Sequence, residues 1–131
     1  MATLIDEIAR ASEGLMLISE TDAPVTPFVW EESTPFSIEA LRQARGYDAS
    51  TPITKLDVDE FFGSSTREYD WHGPEEQERV RRFRALVDTL KSRLSDIAAY
   101  KVGEFGAIDV FVVGRTEDGT FAGVTTHVVE T

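Results

Sequence analysis

The chain has 131 residues, 41% of them hydrophobic, which fills one domain spanning 1–131 and leaves no room for a second. Thirteen basic against 24 acidic side chains give a formal net charge of −11, which repels a phosphate backbone and suits a basic protein surface, so no direct nucleic-acid ligand is expected. There are no cysteines, which excludes disulfides and thiolate metal sites.

The N-terminal run Met1-Ala2-Thr3-Leu4-Ile5-Asp6-Glu7 reaches acidic residues at once, with neither a basic start nor an apolar stretch long enough for a signal or a membrane span. The expectation is a soluble, cytoplasmic protein that does not engage a membrane. Leu4, Ile5, Ile8, Ala11 and Leu15 recur at three- and four-residue steps. With Thr3 as cap, Asp6 three positions on and Gly14 as stop, they predict a first helix. Val25 to Trp30 is β-branched and aromatic and predicts a strand, near an edge because Pro27 cannot donate a ladder hydrogen bond. Trp30, closing that apolar run, is expected to be structural.

Ser37 caps a short predicted helix to about Arg45, with Ile38 and Leu41 on one face and Gly46 as its stop. Ile53 to Val58 reads as a strand and Asp59-Glu60-Phe61-Phe62 as a helical turn. From Pro74, Val80, Phe83, Val87, Leu90, Leu94 and Ile97 keep an alternating three-and-four spacing that predicts one long amphipathic helix. Its acidic residues come first and its basic ones later, as the helix dipole favours, so the arginines need no nucleic acid to explain them. After Tyr100-Lys101-Val102, two strands from Ile108 to Gly114 and from Phe121 to Val129 flank Thr116-Glu117-Asp118-Gly119, and Asp-Gly is a hairpin signal. Helices among strands that end in a hairpin define an α+β fold with a mixed, largely antiparallel sheet between helices.

Catalytic chemistry finds little support. The only histidines are His72, in a Gly-Pro loop, and His127, in the final strand, and nothing places a nucleophile beside either. Asp57, Asp59 and Glu60 could offer oxygens to magnesium, but an acidic run at a helix start is better explained by capping and the dipole. No phosphate loop, dinucleotide turn or zinc spacing occurs.

Several segments together carry a family pattern: Gly14-Leu15 leading to Ser19-Glu20, Val29-Trp30-Glu31, Asp59 with Phe61-Phe62, and Asp70-Trp71 before Glu75-Glu76. The pattern continues through Tyr100, Gly103-Glu104, Asp109-Val110, Val113-Gly114, Ala122-Gly123 and the final Val128-Val129-Glu130-Thr131. The chain thereby resembles the nuclease A inhibitors over nearly its whole length. That resemblance implies a three-layer α-β-α sandwich similar to the plant pathogenesis-related class 1 fold. It implies an inhibitor, not an enzyme, that plugs the active site of a sugar-non-specific, magnesium-dependent DNA/RNA nuclease as a monomer in a 1:1 complex. It carries the partner-binding positions onto Glu20, Asp70 and Trp71, and the C-terminal threonine that reaches the nuclease's catalytic metal onto Thr131. The inhibitor then needs no cofactor of its own, since the magnesium belongs to the nuclease. One departure stands out: His72-Gly73-Pro74 replaces a more acidic and aromatic run in the founding inhibitor. It leaves open an alternative, a protein- or ligand-binding module of the same fold with a different partner.

Overall fold

A capping box opens the first helix, α1 (Leu4–Ser12): the Asp6 amide donates to Thr3 Oγ1 at 3.1 Å and the Thr3 amide to Asp6 Oδ2 at 3.2 Å. The backbone hydrogen bond from Thr3 holds the Asp6 carboxyl below the usual carboxylate range. The computed structural model describes residues 3–130. After α1 come β1 (Met16–Ile18), β2 (Asp22–Pro24), β3 (Thr26–Trp30), α2 (Ile38–Arg45), β4 (Ile53–Leu56) and the single turn α3 (Val58–Phe61). The long helix α4 (Pro74–Arg93) and the strands β5 (Ser95–Val102), β6 (Gly106–Arg115) and β7 (Phe121–Glu130) complete the order.

β1 and β2 form a small hairpin, and the other five strands make one sheet in the order β3-β7-β6-β5-β4. Every pairing among the described residues is antiparallel, within the mixed, largely antiparallel sheet that the sequence led to. The alternation of side chains along each strand divides the core in two. One face of the sheet, through Ala99, Ile108, Val110, Val112, Val124 and Val128, packs on α1, α3 and α4. The other, through Phe28, Trp30, Tyr100, Phe111 and Val113, packs on Leu41 of α2. The result is three layers, helices on both sides of one sheet.

The expected edge position of the Pro27 strand is what the structure has: β3 is the outermost strand and pairs only with β7. Trp30 is buried, and its indole N–H donates to the Thr34 carbonyl at 2.7 Å. The predicted long helix is corrected at its end. It stops at Arg93, Leu94 is already extended (φ −122°, ψ 142°), and Ile97 belongs to β5. Leu94 and Ile97 continue the helical spacing yet reach the same core from the extended helix cap and from β5, so periodicity could not separate the two states. β1 and β2 escaped the sequence reading because three-residue strands have no periodicity to detect. Among the described residues, no helix is long and apolar enough to cross a membrane.

Candidate functional site

The end of the sheet where β7 finishes gathers residues from far apart in the chain. On one flank of β7 sits the β1–β2 hairpin, in which Leu17 and Ala23 face inward while Met16 and Ile18 face outward. Its turn is closed by the Ser19 amide and hydroxyl, which both donate to the Thr21 carbonyl at 3.1 and 3.0 Å. The hairpin is tied to the last strand by three hydrogen bonds. The Val129 amide donates to Ser19 Oγ at 3.0 Å, the Glu20 amide to the Val129 carbonyl at 3.5 Å, and the buried Thr126 hydroxyl to the Pro24 carbonyl at 3.0 Å. Glu20 therefore stands exposed at the tip, its backbone joined to the penultimate turn of the β7 ladder.

The second contributor is the segment between α3 and α4. Phe62 anchors it in the core, Thr66 Oγ1 donates to the Phe62 carbonyl at 3.1 Å, and Arg84 Nε of α4 donates to the Thr66 carbonyl at 2.7 Å. Beyond these ties a tight turn forms: the His72 amide donates to the Tyr69 carbonyl at 3.0 Å, and the Tyr69 amide to His72 Nδ1 at 3.3 Å. Three rings pack on that turn. Trp71 stacks near-parallel to Tyr69, with centroids 6.1 Å apart, and meets His72 edge-on at 4.3 Å. Trp71 is nonetheless 72% exposed, and Asp70 beside it faces solvent. A depression of about 330 Å³ lies beneath, lined by Ile18 of the hairpin together with Tyr69, Trp71, Arg79 and Phe83. It joins the hairpin to the aromatic turn and to the N-terminal half of α4.

Of the four positions inferred from sequence, Glu20 lies on the hairpin whose Ile18 lines this depression, and Asp70 and Trp71 lie on the turn whose Trp71 lines it. Thr131 lies outside the described residues; it follows Glu130, which pairs with Gly106 and accepts a hydrogen bond from Lys101 Nζ at 2.7 Å. Two features of this end were missed. Ile18 belongs to the hairpin that left no pattern, and Phe105, 79% exposed in the β5–β6 turn, was not singled out although the adjoining Gly103-Glu104 belongs to the family pattern.

The acidic run at Asp57 has a structural occupation. Asp57 Oδ2 accepts from the amides of Asp59 and Glu60 at 3.0 and 3.3 Å, capping α3, and Asp59 pairs with Lys91 at 2.7 Å, which raises the Lys91 pKa. Among the described residues, no three His, Cys, Asp or Glu side chains are grouped as a metal cluster. His127 lies on the α2 face, where its Nδ1 is 2.8 Å from Asp109 Oδ1, and Asp109 Oδ2 accepts from the Tyr47 hydroxyl at 2.6 Å. Burial, then the bond to Asp109, drives the Tyr47 pKa upward.

The fold and this end define a small three-layer α+β protein that presents carboxylates and an exposed tryptophan together on one surface. The model of the family described as nuclease A inhibitor-like protein matches residues 2–131, and the chain belongs to that family. No curated protein matches it. Membership points to a nuclease as partner and to inhibition, not catalysis, as the class of activity.

Proposed function

We propose that the chain, acting as one domain over residues 1–131, inhibits a sugar-non-specific, magnesium-dependent nuclease by seating the β7 end in its active-site cleft. The observation that carries the reading is one depression lined both by Ile18, on the hairpin that bears Glu20, and by Trp71, on the turn that bears Asp70. Such a cleft must be basic to hold phosphate, so a chain of net charge −11 is drawn to it. Glu20 and Asp70 offer carboxylates to arginine forks, and Trp71 is the large aromatic that anchors an interface. Thr131 supplies hard oxygens of the kind magnesium accepts in place of water. The complex is 1:1, forms in the cytoplasm, and requires no cofactor of the inhibitor itself.

Titrating the protein against such a nuclease is expected to abolish DNA hydrolysis at one equivalent. Trp71→Ala and Asp70→Ala are each expected to weaken inhibition by roughly 30-fold or more, corresponding to about 2 kcal/mol. Removing Thr131 is expected to leave a complex that forms but no longer blocks the metal; full inhibition by that variant sinks the metal contact. A second reading, a module of the same fold with another partner, rests on the His72-Gly73-Pro74 run, whose histidine packs against Trp71 and whose proline opens α4. No binding to the nuclease in the same titration would favour it.

A further inference from the structure

We infer that the β5–β6 turn forms a second arm of the same inhibitory surface, with Phe105 as an aromatic anchor that seats against the basic nuclease on the flank of β7 opposite the hairpin. This inference rests on the reading above and names a contact residue that neither composition nor family pattern picked out. At 79% exposure Phe105 is the most exposed large apolar side chain among the described residues. Folding gains almost nothing from a phenyl ring left in water, whereas an interface gains most from such a ring.

Placement gives the ring its partner. Gly106 pairs with Glu130, so the turn directly adjoins the last described residue of β7 on the β6 side. On the opposite side Val129 is bonded to Ser19 and Glu20. The end of β7 is therefore bracketed, with Ile18 and Glu20 on one flank and Glu104 and Phe105 on the other. Among the described residues six large apolar side chains are notably exposed. Five of them, Met16, Ile18, Tyr69, Trp71 and Phe105, lie on the hairpin, the aromatic turn or the β5–β6 turn, and only Val29 lies elsewhere. Ile18, Tyr69 and Trp71 line one depression, and Phe105 stands across β7 from the hairpin, so apolar side chains flank the end of that strand on both sides.

The turn is also held in advance of binding. Gly103 (φ 108°) and Gly106 (φ 74°) both occupy left-handed backbone that favours glycine, and the Gly103 amide donates to the Pro52 carbonyl at 2.8 Å. The two residues between them are fixed at both ends, so little backbone entropy remains to be lost on docking. A depression of about 320 Å³ beside the ring is lined by Thr54, Leu56, Lys101, Glu104 and Glu130. Lys101 is neutralised by Glu130, which leaves Glu104 as the charge next to the ring. An apolar ring beside a carboxylate suits the aliphatic stem and charged head of an arginine or lysine on the partner.

The test is the inhibition constant of full-length Phe105→Ala against a sugar-non-specific nuclease, alongside wild type and Trp71→Ala. Phe105→Ala is expected to weaken inhibition by roughly 10- to 30-fold at an unchanged melting temperature, and Phe105→Leu to recover part of the loss. Inhibition by Phe105→Ala equal to wild type, while Trp71→Ala is impaired, overturns this inference and leaves the parent reading standing. A wild-type protein that inhibits no such nuclease overturns both. If Phe105→Ala keeps full inhibition but converts a dimer to a monomer in sedimentation, the ring belongs to a contact between copies of this chain, and the inference is likewise overturned.

Discussion

Tyr47 shows how a single side chain reports on the layer that covers it. Its hydroxyl donates to Asp109 at 2.6 Å from the end of α2, and burial followed by that bond raises its pKa above the ordinary 10.0. Because the folded-state value is raised, the stabilisation is complete below pH 10, where the phenol is protonated in both states. It declines as pH rises above 10, where only the unfolded chain releases the proton. Urea unfolding of wild type is therefore expected to lose stability between pH 10 and 11, and Tyr47→Phe to show a visibly shallower loss over that interval. Equal slopes would show that Tyr47 does not govern this limb. Asp70 and Trp71 were named through the family pattern, and the polar stretch before Gly73-Pro74 put Trp71 on a loop, where it is exposed. Phe105 was not named, since one aromatic residue in a glycine-flanked turn has no spacing to betray which way it points.

At the level of elements, the helices were easier to read than the strands. Thr3 and Ser37 each accept a hydrogen bond from the amide three residues on, and Gly46 takes the left-handed conformation that stops α2, all local signals written in adjacent residues. The β1–β2 hairpin depends instead on Ser19 and Thr126 reaching partners about a hundred residues away, and nothing local announces such pairings. The boundary between α4 and β5 failed for a related reason. A bulge separates Ser95 from Ala98, with Asp96 at φ 52°, and this re-aims the chain where the apolar spacing runs on undisturbed. The sheet interior is equally unforgiving at Gly123, where an added Cβ would overlap the Val112 carbonyl oxygen of the neighbouring strand. Gly123→Ala is expected to cost about 3 kcal/mol, read as a lowered urea midpoint, because backbone cannot move aside as a side chain can. An unchanged midpoint would mean that β6 and β7 separate there without penalty.

For the molecule as a whole, charge decides how the partner is met. Within α4 six basic residues outnumber four acidic ones, so the excess of negative charge resides on the rest of the chain, including Glu20, Asp22, Asp70, Glu104 and Glu130 around the β7 end. Raising salt from about 0.05 to 0.5 M shortens the screening length severalfold, and the association rate with the nuclease is expected to fall by roughly tenfold or more while the dissociation rate changes little. A salt-independent association rate would remove steering from the account. The three-layer architecture was legible because binary patterning fixes which faces are buried, whereas the all-antiparallel order of strands depends on pairings that patterning does not encode.

The position of β7 has a temporal consequence. Among the described residues β3 pairs only with β7, and the hairpin carrying Glu20 is bonded to β7 as well, so these early strands wait for a partner synthesised about a hundred residues later. Such long-range closure makes folding slow relative to a helical protein of this size. A nascent chain halted before Phe121 lacks the strand to which the Glu20 hairpin is bonded. The hairpin and β3 then join the sheet in one event, when β7 enters between β3 and β6.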